Sequence, residues 1–322
     1  MVTPELLISI SQWLTIILGI GFIIFGLFGS LMNLLIFSHQ RFRNIPSSQY
    51  ILTQSIFDMI TLCVPLLVQV IVSGFVWPYF FTIQFLCSFR GYSSIVSTQT
   101  SLYSKCLMAF DIWSSTSRHA SIRRWNTLDR ARFLTLINIL IWALLSIPYA
   151  VLGKILFIRN VWQCAVIDPT FLNYHGYFFI PCLTLFLPVL LLSFFGYYSY
   201  VHLMTLNALH QRRQLKRQFV RMVLIQIFVT IISFVPYTLQ YTYSTVTANW
   251  QKNSQWLAFD SLIVQISRIG FFVNNVIEFY IYVTQSRDVR LTLQQIFKNF
   301  SLIRRHNNVL PTSMPMGNTN TN

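Results

Sequence analysis

The sequence predicts an all-α membrane protein: a seven-transmembrane helix bundle followed by a short amphipathic helix on the membrane surface. Three observations predict it. The chain of 322 residues is 54% hydrophobic and only 10% charged, whereas an average soluble domain is about 25% charged. With a mean hydropathy of +0.56 it has too few polar residues to cover a soluble surface. Apolar stretches recur at the length of about 20 residues that one helix needs to cross a bilayer. Basic residues gather in alternate connections between those stretches. Together these features exclude an ordinary cytosolic enzyme, a disordered regulator and a nucleic-acid-binding domain.

The seven stretches are 13–38, 50–73, 88–111, 133–152, 176–200, 219–243 and 257–284. Residues 1–12 are read as an extracellular N-terminus and 13–284 as the bundle. The first stretch lacks the basic leader of a cleaved signal peptide and is read as a retained span. Pro65, Pro188 and Pro236 fall inside the second, fifth and sixth stretches, and Pro148 near the end of the fourth. Membrane helices tolerate proline because neighbouring groups satisfy the freed carbonyl. Residues 285–300 place Val289, Leu293, Ile296, Phe297 and Phe300 on one helical face, with Arg287, Arg290 and Lys298 available to lipid headgroups. This pattern predicts an amphipathic helix lying on the bilayer. The polar end, 301–322, reads as a disordered cytosolic tail.

Charge sets the expected orientation. The chain carries 23 Lys+Arg against 8 Asp+Glu, a formal net charge of +15. Seventeen of the basic residues fall in 39–49, 112–132, 201–221 and the segment after 284. The other side holds Lys154, Arg159 and Lys252, while Arg90, Lys105 and Arg268 lie within spans. The positive-inside rule then expects the N-terminus outside, the C-terminus in the cytosol and a multi-pass protein of the plasma membrane. The lipid bilayer, not nucleic acid, is the partner this charge implies. Cys87 and Cys164 both fall on the oxidising side, where a disulfide between them is expected. Cys63, Cys106 and Cys182 lie within spans and read as small buried apolar residues.

Enzymatic chemistry is not expected. The six histidines (39, 119, 175, 202, 210 and 306) are scattered without metal-ligand spacing, and no phosphate-cradling glycine loop is present. No cofactor is expected. A transporter would carry an internal repeat, and none is visible.

Ordered residues within the spans resemble those of rhodopsin-like (class A) G-protein-coupled receptors over about residues 14–300. Gly29 and Asn33 match a Gly-x-x-x-Asn element, Asp58 places a carboxylate in span two, and Trp77 precedes Cys87. Asp111 ends span three, Trp142 marks span four, and Pro188 and Pro236 mark spans five and six. The departures are equally specific. The Asp-Arg-Tyr element reads Asp111, Ile112, Trp113, and the Asn-Pro-x-x-Tyr element reads Glu278 to Tyr282 without Asn or Pro. This is similar to a divergent, lineage-expanded invertebrate member. The resemblance implies an extracellular ligand, and a heterotrimeric G protein and arrestin if coupling is retained. Asp111, Ile112, Trp113 and Tyr282 would form the cytosolic coupling face. A non-coupling or decoy protein is the rival reading, because Ile112 cannot make an arginine's contacts.

Buried charge is expensive in a bilayer, so each intramembrane polar residue is a functional candidate. Asn33, Asp58, Ser101 and Asn274 match the family's mid-membrane polar cluster, which in many members holds a sodium ion. Lys105 and Glu278 add a cation and a second carboxylate. Either Lys105 pairs with Glu278 and displaces the sodium ion from near Asp58, or it snorkels toward the cytosol. The outer half of the bundle offers Arg90, Ser94, Gln99, Tyr237, Tyr241, Gln265 and Arg268 as ligand-binding residues. Arginine in a desolvated pocket prefers carboxylate or phosphate, so a peptide C-terminus or another anionic ligand is expected. The alternative is that Arg268 pairs internally with Asp260 or Asp168.

Overall fold

Where water is absent, each backbone N–H and C=O must find its partner within the protein, and an apolar run does so by coiling into a helix. In the computed structural model the runs become α1 (Pro4–Phe37), α2 (Pro46–Gly74), α4 (Leu128–Leu152), α5 (Pro169–Met204), α6 (His210–Val246) and α7 (Ser254–Val276). Between α2 and α4 lies α3 (Gln84–Thr116). The chain then breaks at Ile277 and continues as α8 (Glu278–Gln285) and α9 (Arg287–Asn307). The structure describes residues 4–77, 83–117, 119–158, 161–205, 210–248 and 250–307. Arg118, Arg159 and the expected tail from 308 onward lie outside them. The first helix starts well before residue 13, and α9 continues past residue 300.

Among the described residues, six helices are long and apolar enough to cross a membrane, and α3 is not one of them. Its sequence explains why. Ser93, Ser97, Thr98, Gln99, Thr100, Ser101, Ser104, Lys105 and Asp111 are all buried along it. Its 33 residues span about 50 Å, packed against α2, α4 and α5. A helix enclosed by protein needs no apolar face for lipid, so hydropathy under-reports it. The outer helices show the reverse arrangement: Ile17, Ile24, Phe133, Leu144, Phe228 and Ile232 are exposed. Apolar outside and polar inside is the distribution a bilayer imposes.

Close approach between α1 and its neighbours depends on glycine. A Cβ on Gly29 would stand 3.0 Å from Phe279 Cβ of α8, and one on Gly26 would stand 2.5 Å from a Leu62 methyl of α2. Pro65 in α2 and Pro181 in α5 lie inside wider π-type turns, Leu62–Leu66 and His175–Phe186. Such turns absorb the missing N–H and re-aim the side chains around them.

The link between α4 and α5 forms a hairpin that is not evident from hydropathy. Strand β1 (Gly153–Ile158) pairs antiparallel with β2 (Val161–Val166), and Ile155 faces Cys164. Cys164 is bonded to Cys87 near the start of α3, closing a separation of 77 residues. Gln84 adds a 2.5 Å hydrogen bond from its amide to the Gly153 carbonyl. Cross-linking a loop of this length contributes about 2–4 kcal/mol by restricting the unfolded chain. Cys164→Ser is therefore expected to lower the melting temperature of the purified protein, and an unchanged melting curve would contradict this account.

At the opposite end, α9 turns across the bundle. Ser286 accepts the Val289 N–H as its cap and donates to Gln218 of α6 at 2.6 Å. Arg41 pairs with Asp288, Val289 is buried, and Leu291 and Phe297 are exposed.

Candidate functional site

The hairpin end of the bundle encloses a cavity of about 300 Å³, lined by Gln69, Arg90, Ser94, Gln99, Thr184, Tyr237 and Arg268, with Phe179, Phe271 and Phe272 as apolar wall. No aspartate or glutamate lines it. Its polar groups are braced from behind. Gln69 donates to Gln265 at 2.6 Å, Gln99 to Thr184 Oγ1 at 2.6 Å, and Arg90 reaches Gln69 Oε1 at 3.5 Å. The Gln99 carbonyl oxygen is buried without a hydrogen-bond partner among the described residues.

Neither internal partner considered for Arg268 engages it. Asp260 is held by Lys252, and that hydrogen bond raises the Lys252 ammonium above the ordinary lysine range. Asp168 caps the start of α5 through the Thr170 N–H at 3.2 Å. Arg268 makes no ion pair among the described residues.

Tyr241 lines an adjoining chamber of about 290 Å³ that shares Arg90, Ser94, Ile95 and Tyr237 with the first. His175 and Tyr149 stand in this chamber, their Nδ1 and hydroxyl 2.5 Å apart. The histidine ring stacks on Phe179 and meets Tyr241 edge-on. Sequence reasoning passed over both residues. Its one available signal was a histidine at the edge of an apolar, aromatic stretch.

A second constellation occupies the middle of the bundle. Asp58 Oδ1 accepts hydrogen bonds from Ser101 at 2.5 Å and from Asn275 at 2.6 Å. Lys105 Nζ lies 2.5 Å from Glu278 Oε1, with the two side chains 0% and 2% exposed. At the break after α7, the Asn274 carbonyl accepts from the same ammonium at 3.3 Å. Gln226 of α6 completes the layer, donating to Glu278 Oε2 at 2.7 Å and to the Tyr282 hydroxyl at 2.9 Å. Tyr282 in turn donates to Gln54 at 3.4 Å. Asn33 is buried, and its side-chain oxygen has no partner among the described residues.

One expectation changes here. Asn275, not Asn274, presents its amide to Asp58, whereas the Asn274 side chain meets Thr230 at 3.4 Å. Neighbouring residues on a helix point about 100° apart, and composition alone does not fix which one faces inward. Of the two alternatives for Lys105, the structure shows the pair with Glu278. Ser101 and Asn275 turn hydrogens, not lone pairs, toward the carboxylate, and Lys105 brings the positive charge within the chain itself.

The family model for the 7 transmembrane receptor (rhodopsin family) matches residues 30–282. The chain belongs to that family. No curated protein matches it. The matched region of this rhodopsin-family receptor includes the cavity, the buried layer and the disulfide.

At the receptor's opposite end the Asp-Arg-Tyr position has been rebuilt. Asp111 accepts from Ser47 Oγ at 2.5 Å and from the Asn126 amide at 2.7 Å, so its carboxylate ties α3 to α2 and to the loop before α4. Ile112 is 3% exposed and packs in an apolar cluster with Met108, Val220 and Val223. Trp113 packs at a tilt against Phe110 and Phe195. Tyr282 is fully buried. In this conformation the receptor therefore does not present Ile112 and Tyr282 as the coupling surface expected of them. An isoleucine has no polar end to carry to the surface, and the tyrosine hydroxyl is already satisfied inside.

Proposed function

We propose that this receptor lies in the plasma membrane with the hairpin end outside and transduces an extracellular anionic ligand to a cytosolic G protein. The observation that carries the reading is Arg268, which shares an acid-free cavity with Arg90 and makes no ion pair with a carboxylate among the described residues. A carboxylate or phosphate would receive a charge-assisted, two-pronged hydrogen bond there. Ser94, Gln99 and Tyr237 would orient the rest of the molecule, and the aromatic wall would take its apolar part. Signalling would be a population shift between two bundle states. The mid-membrane layer of Lys105, Glu278, Gln226 and Tyr282 acts as the switch, since it joins α3, α6 and α8 through buried polar contacts.

The test is a ligand panel on cells expressing the receptor, read by G-protein and arrestin recruitment, in which free acids are compared with their own methyl esters or amides. The acids are expected to signal and the neutral forms to fail; equal potency of acid and ester would overturn the anionic assignment. Ile112 favours a second reading, a receptor that binds but does not couple. Silence of the wild type toward every ligand, with signal restored by Ile112→Arg, would support that reading instead.

A further inference from the structure

A groove of about 420 Å³ opens laterally between α3, α4 and α5, away from the ligand cavity. Its walls are Leu107, Phe110, Leu134, Ile137, Ile141 and Phe195. The polar groups at its floor are turned inward. Asn138 donates to the Thr100 carbonyl at 3.1 Å and lies 3.3 Å from Ser104 Oγ, and the Tyr103 hydroxyl donates to the Leu183 carbonyl at 2.9 Å. What remains facing outward is an apolar trough.

Its mouth has the opposite character. Trp125, in the loop before α4, lines one end of the groove, and the Arg130 guanidinium stands 4.9 Å above its ring. Arg130 is fixed by a 2.6 Å hydrogen bond to the Arg124 carbonyl. Arg130 thus stands at this mouth, and Arg123, Arg124 and Arg132 are exposed in the neighbouring sequence, the last paired with Asp129. From Arg130 to Ile141 the α4 backbone rises about 17 Å, close to the roughly 15 Å of one leaflet of a hydrocarbon core about 30 Å thick. The trough therefore has the depth of one monolayer and a cationic rim where the headgroups lie.

We propose that this groove is a binding site for a membrane phospholipid with an anionic headgroup. One acyl chain fills the trough between α3, α4 and α5, and the headgroup phosphate sits on the Arg130 guanidinium, which the Trp125 ring supports. The occupant would brace Phe110 and Phe195, which meet each other edge-on and pack at a tilt against Trp113, directly after the Asp111–Ile112 step. Lipid composition would thereby bias the conformation of that end of α3.

The experiment uses the full-length receptor in phosphatidylcholine nanodiscs containing a minor fraction of phosphatidylglycerol with a photoreactive acyl chain. Adducts are mapped by mass spectrometry. They are expected to concentrate on Leu134, Ile137 and Phe195 and to exceed those of the matching phosphatidylcholine probe. Arg130→Gln, a change at an exposed side chain that leaves the groove intact, should lower capture of the anionic probe about fivefold, the effect of one basic residue at a membrane surface. Ile137→Trp should block capture, whereas Leu144→Trp, on an exposed part of α4 that does not line the groove, should not. Melting curves of all three variants verify that each is folded. The proposal is overturned by adducts spread evenly over the outer helices, by equal capture of both probes, or by cross-links between two receptor copies through the groove.

Discussion

Lys105→Met is expected to destabilise the receptor by about 3–5 kcal/mol, because it leaves the Glu278 carboxylate buried without a counter-charge. Glu278 is 2% exposed, and with Lys105 gone the donors to its carboxylate among the described residues are neutral, the Gln226 amide and the Tyr282 hydroxyl. Neutral donors do not replace an ammonium in a low-dielectric interior. The paired change Lys105→Met with Glu278→Gln should recover most of the loss, since it removes both charges and keeps the side-chain volumes. A double-mutant cycle on melting temperature measures the coupling directly. Additive effects of the two single changes would mean that the observed 2.5 Å approach contributes no specific stabilisation. The same variants carry a signalling prediction. Gln226 bonds to Glu278 and Tyr282 together, so a Glu278 freed from Lys105 can reorient and release α6. Ligand-independent activity of the single variant should rise, and that of the paired variant should return toward wild type.

Arg268→Ala is expected to lower agonist potency by a factor on the order of 100, the cost of leaving a buried ligand anion without its partner. Its effect on the empty receptor should have the opposite sign. Arg90 and Arg268 bring like charges into one cavity, and no ion pair among the described residues is lost with Arg268. The unliganded variant should therefore melt at the same temperature as wild type or higher. A structural role for Arg268 would lower both quantities together, so measuring the melting curve beside the concentration–response curve separates the two. Arg268→Lys should recover only part of the potency, because an ammonium cannot form the paired hydrogen bonds of a guanidinium.

Much of this architecture was legible in the chain because a bilayer constrains composition so strongly. The basic residues at 41–43, 118–132, 212–221 and 287–305 mark alternate connections, and the apolar runs between them leave little choice of fold. The stretch 88–111 was read as a span on hydropathy; it is a helix, but α3 is not among the helices apolar enough to cross a membrane. Three features were not legible, each for a physical reason. The hairpin is held by backbone pairing between segments whose side chains show no distinctive alternation. The exchange of Asn275 for Asn274 depends on the rotation of α7, which is set by packing and by the interruption at Ile277. The pairing of Tyr149 with His175 requires α4 and the start of α5 to meet, and no local pattern encodes that meeting. By contrast, the proximity of Lys105 and Glu278 follows from the cost of burying either charge alone, a rule that operates over any separation in sequence.

The position of Gln226 along α6 has a mechanical consequence. Pro236 is the one proline in that helix, and a helix bends at such a residue. Gln226 lies ten residues from it, about 15 Å along the axis, whereas Arg217 lies about 29 Å away. A swing about Pro236 therefore carries Arg217 about twice as far as it carries Gln226. With the restraint about midway between the pivot and Arg217, that turn of α6 can rock by about 1 Å while the Gln226 hydrogen bonds stretch by about 0.5 Å, which is near the limit at which they break. If the Gln226 layer is the proposed switch, it would permit small excursions of this end of α6 and release only when the excursion becomes large.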